Sequence, residues 1–178
     1  MRFPMISLTL AGALALAGCD SPSLLSLDPA VTDQDAVFDA NLLGTWQTGQ
    51  GGDLCIVQRN GSAYTVTYVS DGSSRKFDAR LFAAGQASLL DLSPQDPDDF
   101  QVPAHTLIRV WTAGGTLRWA FLDSPWLHEQ VARQLATRAG NNGKIVLTAP
   151  SIALRGFLAQ YAADDRAHGD VTEWQRLQ

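Results

Sequence analysis

The chain has 178 residues, 46% hydrophobic and 17% charged, which is enough apolar material for one buried core and too few charges for a disordered chain. Its net charge is −5, and its 13 Lys and Arg residues are scattered without a basic stripe, which argues against nucleic acid as a partner.

In chain order, Arg2 precedes the apolar run "FPMISLTLAGALALAG", shorter than the roughly 20 residues that span a bilayer core, so residues 1–18 read as a signal peptide. Leu16-Ala17-Gly18-Cys19 resembles the bacterial lipobox, which implies cleavage before Cys19 and diacylglycerol on its thiol. Several acyl chains make release from the membrane rare, so the expected location is the bacterial cell envelope, with the domain on the periplasmic or outer side. Asp20 resembles the inner-membrane retention signal of enteric bacteria, a rule that differs between bacterial groups, and the choice of membrane stays open. Residues 19–33 carry Ser, Pro and Asp without periodicity and are expected to form a lipidated, flexible stalk before a domain at 34–178.

With Cys19 capped by lipid, Cys55 has no partner within the chain and a disulfide framework is excluded. Its surroundings, "DLCIVQ", alternate like a strand and hold no histidine, so a buried core thiol is favoured over a nucleophile. Turn signals then recur at Gln50-Gly51-Gly52, Asn60-Gly61, Asp71-Gly72, Ala84-Gly85 and Gly114-Gly115. Two-residue loops at Asn60-Gly61 and Asp71-Gly72 put Cys55, Val57, Tyr64, Val66, Tyr68, Phe77, Ala79 and Leu81 on one face, and Lys76, Asp78 and Arg80 on the other. Ala84-Gly85 adds Ser88, Leu90 and Leu92 to the apolar face while Asp91 points away.

"PQDPDDFQVP" is a loop; its aspartates lack the alternating Asp, Gly and terminal Glu of an EF-hand, so a solvated turn is favoured over a calcium site. Strands resume at Ala104. With Gly114-Gly115 as a two-residue loop, Ile108, Val110, Leu117, Trp119 and Phe121 join the apolar face while Arg109, Trp111 and Arg118 share the other; an odd loop would instead send Arg109 and Trp111 inward. A helix follows from Asp123 or Ser124 to a stop at Gly140, with Leu127, Val131 and Leu135 on one side. His128-Glu129 opens like a zinc-protease motif, but the second histidine position is Ala132, and no metal is expected. "KIVLTA" is the last short strand, and a second helix over 150–163 carries Leu154, Phe157, Leu158 and Tyr161 at core spacing. The tail from Asp164 is polar apart from Val171, Trp174 and Leu177 and is either loosely ordered or laid over the barrel.

The pattern is mainly β: an antiparallel up-and-down barrel of about eight strands with two late α-helices, since closure removes exposed edges. "QDAVFDANLL" followed by Gly44-Thr45-Trp46 resembles the GxW motif of lipocalins and the wider calycin superfamily. The resemblance implies that Gly44 and Trp46 form a structural plug at the closed end, and that Arg155 corresponds to that family's arginine after the last strand. The second lipocalin motif has no counterpart, and a helix between the seventh and eighth strands departs from the lipocalin order. Avidins also open with GTW, but their biotin-contacting tryptophan motifs are not found here. The chain also resembles a group of uncharacterised bacterial lipoproteins sharing a "DLSP" turn and a late "LTA" strand followed by a helix.

Three function classes follow: a carrier or sensor that binds a small apolar or amphipathic ligand, or a binder of an envelope protein partner; a filled barrel with a structural or assembly role; and an enzyme. GxSxG, HExxH, CxxC pairs and phosphate loops are absent and His105, His128 and His168 are scattered, so no catalytic residue and no cofactor is expected. Tyr64, Tyr68, Phe77, Trp119 and Phe121 are the expected ligand-lining residues, and they take up much of an eight-stranded lumen. Replacing Cys19 by Ser should leave an uncleaved or soluble precursor; membrane fractionation at the processed mass would exclude the lipobox reading.

Overall fold

A computed structural model describes residues 24–49, 51–97 and 102–177, so the signal segment, Cys19 and the centre of the acidic loop lie outside the described residues. The elements run β1 (Leu24–Ser26), a 3-10 helix at Ala40–Leu42, β2 (Gly44–Gln47), β3 (Leu54–Asn60), β4 (Ala63–Ser70), β5 (Ser73–Ala84), β6 (Ala87–Pro94), β7 (Thr106–Ala113), β8 (Thr116–Phe121), α1 (Pro125–Gln134), β9 (Thr137–Ala139), β10 (Ile145–Leu147), α2 (Ser151–Tyr161) and β11 (Thr172–Arg176). Strands β2 to β8 and β11 close an eight-stranded antiparallel barrel of lipocalin-like form; β1, β10 and β9 make a small sheet beside it.

The hairpins explain why the faces sort as they do. Asp71 and Gly72 have φ of 49° and 74° and join Ser70 to Ser73, the double left-handed turn whose twist matches antiparallel strands. Gly114-Gly115 likewise joins Ala113 to Thr116, which sends Arg109 outward, with its guanidinium 5.2 Å from the Trp111 ring. Two other turns lie one residue later than expected, at Gly61-Ser62 and Gly85-Gln86. Each slip moves strand partners by two residues, so every side chain keeps its face.

Four expectations need correction. The eighth barrel strand is Thr172–Arg176, inside the supposed tail; "KIVLTA" contributes β10, which pairs with β1 and β9 outside the barrel. A single inward tryptophan between Glu173 and Gln175 is too weak an alternation to read as a strand, yet it fits the gap between β8 and β2. The first helix ends at Gln134 instead of reaching Gly140, because Thr137–Ala139 pairs with β10. Its start agrees, with the Ser124 side chain capping the Leu127 N–H.

The fourth correction concerns the stalk. From Leu24 onward the supposed stalk is folded: β1 lies alongside β10, Ser26 exchanges two backbone hydrogen bonds with His105, and Ala30 and Val31 are fully buried. Asp91 pins this segment. It points away from the lumen, as alternation requires, but is only 3% exposed because the segment covers it, and it accepts from the Ala30 N–H and the His105 ring, both at 2.6 Å.

Two cores result. One fills the lumen, with Trp46, Cys55, Tyr64, Val66, Leu81, Ile108, Trp119 and Trp174 among its members. The other lies outside the wall of β5 to β8, where Phe82, Leu89, Leu107 and Leu122 meet Leu127 and Val131 of α1 and Leu154, Phe157 and Leu158 of α2. Gly85 permits this approach: a Cβ there would stand 2.6 Å from the Ala159 carbonyl oxygen. The late helices are therefore a second layer on one side of the barrel.

Replacing Asp91 by Ala strands two buried donors and should cost about 2–4 kcal/mol in urea unfolding, with early proteolysis within residues 24–33. In the lumen, burial pushes the Cys55 thiol up to about 12. A polar thiol reagent at mildly alkaline pH should leave native Cys55 unmodified and react after denaturation; rapid native labelling would contradict its lumen placement.

Candidate binding mouth

The two barrel ends differ in chemistry. At one, the 3-10 helix at Ala40–Leu42 crosses the lumen and is held by side chains of both terminal strands of the barrel. Trp46 Nε1 donates to the Leu42 carbonyl at 3.0 Å; Arg176 donates to the Leu43 and Asn41 carbonyls at 2.7 and 2.8 Å and lies over the Trp46 ring at 4.3 Å. Gly44 has φ of 135°, and a Cβ there would meet Arg176 Nη1 at 2.8 Å, so glycine is needed on both counts. The arginine that serves the last strand is thus Arg176; Arg155 sits on α2 and pairs with Asp35 outside the barrel.

Tyr64 also belongs to this closed end. Its hydroxyl accepts from the Asp39 N–H at 2.6 Å and donates to the Asp39 carbonyl, its ring stacks on Phe38 at 5.2 Å, and burial raises its pKa above the usual phenol range. Of the five expected lining residues, Tyr64 is therefore part of the plug. Two clefts flank the plug, of about 180 Å³ between Trp46, Arg176 and the Thr112–Gly115 turn, and about 200 Å³ between Leu42, Leu81, Ser88 and Trp111. Each is below the roughly 300 Å³ at which small-molecule pockets begin.

The other four lining residues surround the opposite end. Phe77 and Phe121 lie toward the mouth ends of β5 and β8 and are half-buried, as is Tyr68, whose hydroxyl donates to Asp53 at 2.5 Å. Below them Trp119 and Trp174 meet edge to face at 4.5 Å, with Tyr68 6.5 and 6.2 Å from the two rings. These rings fill the lumen at this end of the barrel. Trp174 is 1% exposed, and its Nε1 has no hydrogen-bond partner among the described residues. A buried N–H without an acceptor costs about 1–3 kcal/mol, and Trp174 Nε1 is such a group in the lumen. Trp174 is not legible as a lumen residue from the sequence, because its five-residue strand carries only one inward side chain.

Each histidine is committed outside the lumen: His105 to Asp91, His128 to Asp123 at 2.5 Å, and His168 to Arg109 at 3.1 Å beside Asp165. Ser26 lies beside His105 and Asp91, but its hydroxyl donates to the Asp28 carbonyl at 2.7 Å, so the three do not form a nucleophile relay. Among the described residues no group of three or more His, Cys, Asp or Glu side chains could hold a metal, and no helix is long and apolar enough to cross a membrane. No family profile, curated protein or solved structure matches this chain, so the reading of its mouth rests on the residues that build it.

Proposed function

We propose that the chain is a lipid-anchored envelope protein of calycin type that binds one end of a small apolar or amphipathic molecule at the mouth of its barrel. The carrying observation is the unpartnered Trp174 Nε1 in a floor of aromatic rings beneath half-buried Phe77 and Phe121. Such a floor suits an oxygen-bearing end, a carbonyl or carboxylate, with the apolar remainder lying among the rings above it. Deep engulfment of a ligand is disfavoured, because Trp46, Tyr64, Trp119 and Trp174 occupy the lumen.

That occupancy favours the second reading, a filled barrel with a structural or assembly role. Titration with a fluorescent fatty acid separates the two. The first reading expects saturable binding by the native chain and affinity about 2- to 12-fold weaker in Trp174→Phe, the loss of one hydrogen bond worth about 0.5–1.5 kcal/mol. Equal affinity would remove Trp174 from the contact, and no saturable binding by the native chain would leave the filled barrel.

A further inference from the structure

The strand that closes the barrel is reached through a strap, residues 162–171, which runs from the end of α2 to β11. Several contacts dock it. The Ser124 hydroxyl donates to the Arg166 carbonyl, the Gly169 N–H donates to the Phe121 carbonyl at 3.1 Å, and a 3-10 turn at Asp165–Ala167 buries Ala167 in the outer core. These contacts involve no titratable side chain. The contact with β7 does: Arg109 donates from Nη1 to the Asp165 carboxylate at 3.0 Å, to His168 Nε2 at 3.1 Å and to the Ala163 carbonyl at 3.4 Å.

The partners of His168 assign its proton. A guanidinium only donates, so Nε2 accepts from Arg109 and carries no hydrogen; a carbonyl only accepts, so Nδ1 holds the proton and donates to the Gly169 carbonyl at 3.1 Å. Two groups with fixed roles specify one neutral tautomer. The side chain is 9% exposed, and its ring centre lies 6.3 Å from that of Trp111.

We infer that His168 is an acid-sensitive latch: its neutral ring ties the strap to Arg109 on the barrel wall, and its protonation releases the strap from β7. Protonation fills the lone pair that Arg109 uses and sets a second cation 3.1 Å from the guanidinium, where little water screens the two. Two carboxylates oppose this. Asp165 lies 3.6 Å from Nε2 but is 91% exposed and shared with Arg109, so its attraction is screened. Asp164, held down to about 2 by hydrogen bonds from Arg166, keeps its charge in mild acid but is committed to that guanidinium at 2.7 Å. The other charges nearby are also paired or exposed: Arg118, beside Trp111 in register, with Glu173; Asp123, whose carbonyl neighbours Gly169, with His128; and Asp170 in solvent. The buried repulsion therefore wins. Docking is complete while His168 is neutral and is lost as pH falls through the range where histidines titrate. Because the strap ends where β11 begins, the loosening reaches the strand that closes the wall.

Two measurements on the full chain test the latch. Long-range proton–nitrogen NMR correlation at about pH 8 should find His168 protonated at Nδ1; an Nε2–H ring overturns the proposal. Hydrogen exchange of the Gly169 amide, corrected for the intrinsic pH dependence of exchange, should show protection about 2- to 12-fold lower at about pH 5 than at about pH 8, the loss of one hydrogen bond. His168→Gln, which keeps a neutral acceptor, should give equal protection at both pH values. Arg109→Leu removes the guanidinium from both states and should also flatten the response. Equal protection of the native chain at the two pH values overturns the latch, as does a pH response retained in both variants, which would assign it to His128 and Asp123 instead.

Discussion

Closure of the barrel by its last strand is the constraint on which the rest depends. β11 is only five residues long, yet it pairs with β8 on one side and β2 on the other, and without it both strands would be open edges. The join is strengthened where it is shortest. Only two residues of β11 pair with β2, and one of them, Arg176, also clamps the Asn41 carbonyl inside the 3-10 helix and the Leu43 carbonyl at its end, and covers Trp46. Gly44 follows from this clamp, since its φ and the guanidinium beside it both exclude a side chain. The same strand delivers Trp174 to the lumen, so closing the wall and flooring the mouth are one event.

The wall is not equally thick around its circumference. β5, β6 and β7 bury side chains on both faces, inward to the lumen and outward to α1, α2 and the segment after β1, whereas β3 and β4 carry no such layer. Asp91 sits at the seam between wall and layer and satisfies groups from both, a backbone N–H of the segment and the ring of His105. An ionisable side chain in that position makes docking of the segment specific, because an apolar replacement would leave its partners dry and unbonded.

Facing direction was legible in the sequence and depth was not. Alternation assigns a side chain to the lumen or the outside with period two, and a turn shifted by one residue moves partners by two, so Cys55, Val66, Phe77 and Leu90 read inward from the sequence even where the turns at Gly61-Ser62 and Gly85-Gln86 lie one residue later. How far along the barrel a residue lies depends on which end is plugged. Tyr64 and Tyr68 share a face, yet one bonds to the chain before the plug and the other rims the mouth. Ala30 and Val31 could not be recognised as core from "DPAVTD", because a few apolar residues in a turn-rich stretch have no period; their burial comes from Asp91 and the outer layer. Trp174 and Arg176 were hidden for a related reason: a five-residue strand with one buried side chain acquires meaning only from the gap it fills.

The clamp between Arg176 and Leu43 also has a temporal side. Its two residues are 133 positions apart, and the intervening chain holds β2 to β8, two helices and two strands of the side sheet. Contacts of such long range form late and slow a folding reaction. Without β11, β2 and β8 would each present an unpaired backbone edge at the open seam. Displacing β11, for example by mutating Arg176, should therefore expose two strand edges at once, the condition under which foreign strands pair with a sheet.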